Sequence, residues 1–125
     1  MSGWTPDELR SVTDADELQV ASFRPDGTAR PFVIIWFVRQ GDELYVRSAQ
    51  GPQNGWYRRA VDSGAGRVRV AGIEKDVTFE HASAGLDHAG LDAAYHAKYD
   101  RYGPGPVGAV VGPAAVDVTL HLLPR

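Results

Sequence analysis

RPFVIIWFVRQGDELYVRSAQGPQNGWYRR, residues Arg30 to Arg59, decides how this chain folds. Pro31 to Val38 is apolar on both faces, as expected of a strand with core on one side and a partner surface or ligand on the other. Gly41-Asp42 turns it into a second strand, Glu43 to Ser48. Ala49 to Arg59 then sets a Gly/Pro loop and a helix start directly behind a barrel-type strand. Such a junction suits an anionic group. The arginines, the amides of Gln53 and Asn54, and the free backbone N–H groups of a helix beginning near Gly55 can converge on a phosphate, with the helix dipole adding to them. The same residues admit a plainer reading, in which Asn54 is an N-cap and the arginines are solvated.

Upstream, Thr5, Pro6 and Glu8 form an N-cap, first-turn proline and capping-box acid, predicting a helix over Pro6 to Val12. Leu18 to Phe23 alternates as a strand into Pro25-Asp26-Gly27, and the next strand begins near Thr28. Downstream, a helix from Gly55 to Asp62 stops at Ser63-Gly64-Ala65-Gly66. Arg67 to Ala71 and Val77 to His81 read as a hairpin turning through Gly72 to Lys75, with Val68, Val70, Val77 and Phe79 on one face. Ser83 to Leu86 is a loop, and Asp87 or Asp92 opens the longest helix, closed by Tyr102-Gly103-Pro104. Val107 to Val111 reads as a short strand and Ala115 to Leu123 as the last one. The expectation is a mainly β protein: a six- to seven-stranded antiparallel split β-barrel with peripheral short helices, one domain over residues 1–125.

The formal net charge of −3 and pI of about 5.7 supply no basic field for nucleic acid or an anionic membrane. The absence of cysteine excludes disulfides, thiolate metal sites and cysteine nucleophiles. Any redox chemistry therefore comes from a cofactor. No apolar run approaches the roughly 20 residues that span a bilayer, and MSGWTPDEL lacks the basic and apolar regions of a signal peptide, so a cytoplasmic protein is expected.

Gly27-Thr28-Ala29-Arg30-Pro31 leading into Ile35-Trp36-Phe37-Val38, then Gly41 to Ser48, then Pro52 through Trp56-Tyr57 and Arg58-Arg59, resemble the flavin and deazaflavin split-barrel superfamily. That superfamily includes pyridoxamine-phosphate-oxidase-like proteins and deazaflavin-dependent nitroreductases. The whole chain looks like a small group of uncharacterised members with the same Gly-Trp-Tyr-Arg-Arg helix and Glu-Lys-Asp-Val hairpin. The resemblance implies a homodimer with FMN or a deazaflavin coenzyme near the subunit interface. Its phosphate end would meet Arg47, Ser48, Gln53, Asn54, Arg58 and Arg59, while Phe32, Ile34 and Trp36 would wall the ring. The loop Gly51-Pro52-Gln53-Asn54-Gly55 departs from the deazaflavin binders in carrying no lysine.

Trp36 reads either as a core or dimer-interface residue or as a stacking partner for a ring. Arg58 and Arg59 cannot face the same way on a helix, and Arg59 is the one taken toward a ligand. Leu91, Tyr95, Tyr99 and Tyr102 share one helical face. That stripe either packs on the barrel or, as the resemblance implies, offers Tyr95 and Tyr99 as catalytic hydrogen-bond donors to a small-molecule substrate. His88, Asp92 and His96 occupy another face, read as solvated, with no metal expected. His81 and His121 lie at strand positions without a discernible partner. The function expected is hydride transfer by a flavin- or deazaflavin-dependent oxidoreductase. The alternative is a non-redox small-molecule-binding protein, or a cofactor-free enzyme reusing the pocket, with a structural dimer as a third reading.

Overall fold

A computed structural model describes residues 3–49, 51–82 and 85–125 of the chain. Residues 1 and 2 of the N-terminal segment, residue 50 of the loop and residues 83 and 84 of the expected loop at 83–86 lie outside it. Helix α1 (Pro6–Thr13) carries the full capping box: Thr5 accepts from the Glu8 amide and the Glu8 carboxylate accepts from the Thr5 amide. Its buried residues, Leu9 and Val12, join the barrel core. Strands β1 (Leu18–Ser22), β2 (Val33–Ile35), β3 (Phe37–Gln40) and β4 (Glu43–Arg47) follow. After a 3-10 turn, Gly51–Gln53, come α2 (Gly55–Ser63), β5 (Ala65–Val70) and β6 (Ile73–His81). The chain ends with α3 (His88–Tyr99), a second 3-10 turn at Asp100–Tyr102, α4 (Pro104–Gly108), α5 (Pro113–Val116) and β7 (Thr119–Pro124).

All strand pairs are antiparallel, and the order is β2-β1-β5-β6-β7-β4-β3. The two edges of the sheet, β2 and β3, are consecutive in sequence and separated by Trp36 alone. One run of chain therefore pairs with β1 on one side and β4 on the other, which nearly closes a seven-stranded split barrel. The continuous strand expected over Pro31 to Val38 is divided at Trp36 because its two halves serve different neighbours.

Phe37, Leu44, Val46, Val68, Val77 and Leu120 fill the interior. Helix α3 covers the outer face of β3 and β4, where Val38 and Tyr45 meet Leu91, Tyr95 and Tyr99. Each such buried side chain contributes about 1.5–3 kcal/mol relative to exposure.

Further expectations change. The hairpin turn contracts to Ala71-Gly72, both at positive φ (51° and 79°), so β6 begins at Ile73 rather than Val77. Val107 to Val111 is not a strand: Pro104 sits in the first turn of α4, where its missing N–H costs nothing. Ala115 and Val116 belong to α5, started by Pro113, so the last strand begins only at Thr119.

Gly64 caps α2 at φ 72°, and Gly66 lies in β5 opposite Ser22 of β1. A Cβ at Gly66 would meet the Ala21 carbonyl and stand 2.8 Å from the Phe79 ring. Gly66→Ala is expected to lose about 2 kcal/mol in urea unfolding, whereas Gly105→Ala, with open space around it, should change stability by less than about 0.5 kcal/mol.

Candidate functional site

The break at Trp36 creates the site. An open cleft of about 430 Å³ is lined by β2, Trp36, Trp56 and the Pro106 to Val110 segment, with Glu17, Arg47 and Asn54 as its charged and amide groups. Trp36 lies flat on Tyr99, with ring centroids 4.1 Å apart and planes 6° from parallel. Where the strand breaks, the Phe37 N–H donates to the Tyr99 hydroxyl at 3.0 Å. That hydroxyl has the carbonyls of Phe37 (2.8 Å) and Asp16 (2.7 Å) within reach of its single proton. Burial, more than any nearby charge, pushes the phenols of Tyr99 and Tyr95 up from their ordinary value, so both stay neutral.

Arg47 is fully enclosed behind the cleft. Its guanidinium meets Asp92 at 2.5 Å, the Val110 carbonyl at 2.9 Å and the Thr119 hydroxyl at 3.0 Å, and it lies over the Tyr95 ring. Asp92 in turn accepts from the Gly112 amide. Sequence alternation puts Leu44 and Val46 inward and Tyr45 and Arg47 outward, which aims Arg47 at α3. The pair thus ties β4 to α3 and to the α4–α5 segment that forms one wall.

Four of the nine residues expected to bind a cofactor line the cleft: Ile34, Trp36, Arg47 and Asn54. Ile34 projects with 59% of its surface exposed. Asn54 holds the N-cap position of α2, and among the described residues its side chain makes no capping bond. Ser48 is buried and donates to the Gly51 carbonyl at 2.6 Å. Phe32 lies under the Arg69 guanidinium, 4.0 Å from its ring centroid, and Gln53 and Arg58 are exposed. Arg59 points elsewhere, into a second cleft of about 490 Å³ that Arg24, Arg30 and Asp62 also line.

Tyr95 and Tyr99 are wholly buried and stand behind Trp36 rather than among the residues lining the cleft, while Tyr102, last of the stripe, is half exposed. The polar face of α3 is also spent on partners: Asp92 on Arg47, and His96 on Asp100 at 2.8 Å. His81 accepts or donates to Tyr57 at 2.5 Å, and His121 meets Glu43 at 2.7 Å while stacking on Tyr45. Among the described residues no group of three or more His, Asp or Glu is placed to hold a metal ion, and no helix is long and apolar enough to cross a membrane.

Sequence reasoning missed Arg30. Among the described residues its Nε is buried without a hydrogen-bond partner, and it lies beside Arg59, Val33 and Trp56. Val33 and Trp56 border both the apolar cleft and this arginine-lined side. The only signal was its place in the Gly27 to Pro31 motif, since nothing in the sequence shows α2 lying over that hairpin.

A nearly closed antiparallel barrel of seven strands is a split-barrel fold, and solved structures share it. A putative pyridoxamine 5'-phosphate oxidase from Listeria innocua is similar, with a TM-score of 0.64 at 12% identity over 95% of this chain and 91% of that one. So is HutZ, the heme storage protein from Vibrio cholerae, with a TM-score of 0.62 at 12% identity over 100% and 92%. An F420 reductase matches with a TM-score of 0.54 at 24% identity over 97% and 96%. No curated protein matches the sequence. Residues 8–122 match the family described as an uncharacterized protein conserved in bacteria (DUF2255), and the chain belongs to that family.

Two substitutions test the scaffold of the cleft. Tyr99→Phe keeps the stack on Trp36 but leaves the Phe37 N–H unpaired, and should cost about 2 kcal/mol in urea unfolding. Asp92→Ala strands the enclosed Arg47 charge and should cost about 3 kcal/mol by the same measurement.

Proposed function

We propose that the protein binds FMN or a deazaflavin coenzyme in the cleft at Trp36 and acts as an oxidoreductase on a small organic substrate. The observation that carries this reading is the open apolar cleft of about 430 Å³ beside the uncapped start of α2. A volume of this order lies within the range of about 300–1,000 Å³ typical of cofactor sites. Ile34, Trp36 and Trp56 offer apolar walls for a planar ring, and the Asn54 amide with the first N–H groups of α2 offers donors to a phosphate. Arg30 and Arg59 add cationic donors beyond Val33 and Trp56, and the unpartnered Arg30 Nε fits an anionic end of an elongated cofactor.

When bound, such a cofactor supplies hydride transfer. The chain's own residues then bind, orient and exclude water. Trp36 is held in place by Tyr99, so the role proposed for Tyr95 and Tyr99 is to support that wall, with hydrogen bonding to substrate as the catalytic alternative. A homodimer is part of the proposal, because the exposed Ile34 at the cleft gives a second copy an apolar surface to cover. The acid–base alternative has less support: neither His81 nor His121 is among the residues lining the cleft.

Titration with FMN and with a deazaflavin coenzyme, followed by tryptophan fluorescence, tests the reading. Quenching from Trp36 and Trp56 at micromolar cofactor is the expected result, and no response to either would remove it. Asn54→Asp keeps a good N-cap residue but adds a negative charge at the phosphate end. It should weaken cofactor binding about tenfold with no loss of melting temperature.

A further inference from the structure

We propose that Lys98 is a reactive amine that forms a reversible imine with a small apolar aldehyde held in the cleft between α1, β3 and α3. This cleft, about 370 Å³, shares no lining residue with the one at Trp36. Val12, Phe37, Val38, Ala94 and Ala97 give it mostly apolar walls, and Lys98 brings the one amine. The Lys98 Nζ donates to the Phe37 carbonyl at 3.1 Å and stands 3.5 Å from the Phe37 ring centroid. Among the described residues it makes no ion pair, whereas Lys75, the only other lysine in the sequence, is bound to Glu8 at 2.7 Å.

The charges around Lys98 do not offset its burial. Asp16, before β1, attracts its charge, but that carboxylate is spent on Arg101 at 2.5 Å and on the Tyr102 hydroxyl. Arg101 opposes it from the turn after α3. Arg39, on β3, is engaged by the Gly41 carbonyl, the Thr13 hydroxyl and Asp42. Burial is the dominant effect and lowers the ammonium to a pKa of about 8. At pH 7 roughly a tenth of such an amine is neutral, against less than about a thousandth for an ordinary lysine.

The chemistry balances without an oxidant or reductant. The neutral Nζ lone pair attacks the aldehyde carbon, forming a C–N bond as the carbonyl π bond breaks, and the oxygen takes up the proton that nitrogen releases. Loss of water from this carbinolamine leaves the imine, and water reverses both steps. The apolar tail of the aldehyde would occupy the space walled by Val12, Ala94 and Ala97.

The test is incubation of the folded protein with hexanal and cyanoborohydride, which traps an imine as a stable secondary amine, followed by peptide mapping. At pH 7 Lys98 should be alkylated at least about ten times faster than Lys75. Its rate should be half-maximal near pH 8, rising as the amine loses its proton. The preference for Lys98 should also be larger with hexanal than with formaldehyde, which has no tail to bind. Equal rates at the two lysines, or the same preference with both aldehydes, would overturn the assignment. Lys98→Arg, checked for native circular dichroism, should abolish the fast phase, and its persistence would likewise count against the proposal.

Discussion

The hydroxyl of Tyr99, placed where β2 gives way to β3, is the contact on which the rest of the structure depends. The run of chain that pairs with β1 along its first half and with β4 along its second is interrupted at Trp36. A break exposes backbone donors that would otherwise sit in a ladder, and burying one unpaired is costly. Tyr99 accepts from the Phe37 N–H and presents its ring to Trp36, so one side chain from α3 satisfies the backbone and fixes the indole. The barrel's near closure and the shape of its cleft follow from that arrangement.

The arginines divide into two kinds according to what surrounds them. Arg47 is enclosed, ion-paired and hydrogen-bonded, and works as a strut between β4 and α3. A charge so fully committed is poorly placed to give its donors to a ligand, although it borders the cleft. Arg30 and Arg59 face a shared cleft instead, and Arg30 keeps a buried Nε without a partner. On the proposed function, an anionic group would be held by residues beyond Trp56 rather than by the arginine at the end of β4.

Much of the fold was legible in the sequence, because strand alternation, capping residues and turn glycines are local signals. The capping box at Thr5 and the helix start near Gly55 each follow from a few adjacent residues. Two of the errors share one cause: apolar runs read as strands by period alone. Val107 to Val111 and Ala115 to Val116 follow prolines that start short helices, and proline fixes the backbone where hydrophobicity cannot. The site was less legible, since its contacts are long-range. Arg47 meets Asp92 from 45 positions away and Tyr99 meets Phe37 from 62, and no spacing rule reaches so far. Helical spacing separates Arg58 from Arg59, yet which surface Arg59 would meet depended on how α2 lies over the β1–β2 hairpin.

The claim that the cleft at the strand break is the ligand site is tested most directly by nuclear magnetic resonance of the labelled protein with added FMN or deazaflavin coenzyme. The account predicts shifts confined to the indole N–H signals of Trp36 and Trp56 and the side-chain amide of Asn54, all of which border the cleft. The indole of Trp4, bonded to the Leu122 carbonyl on another part of the barrel, should stay still. Shifts at Trp4 without shifts at Trp36 would contradict the account, as would no change at any of the three.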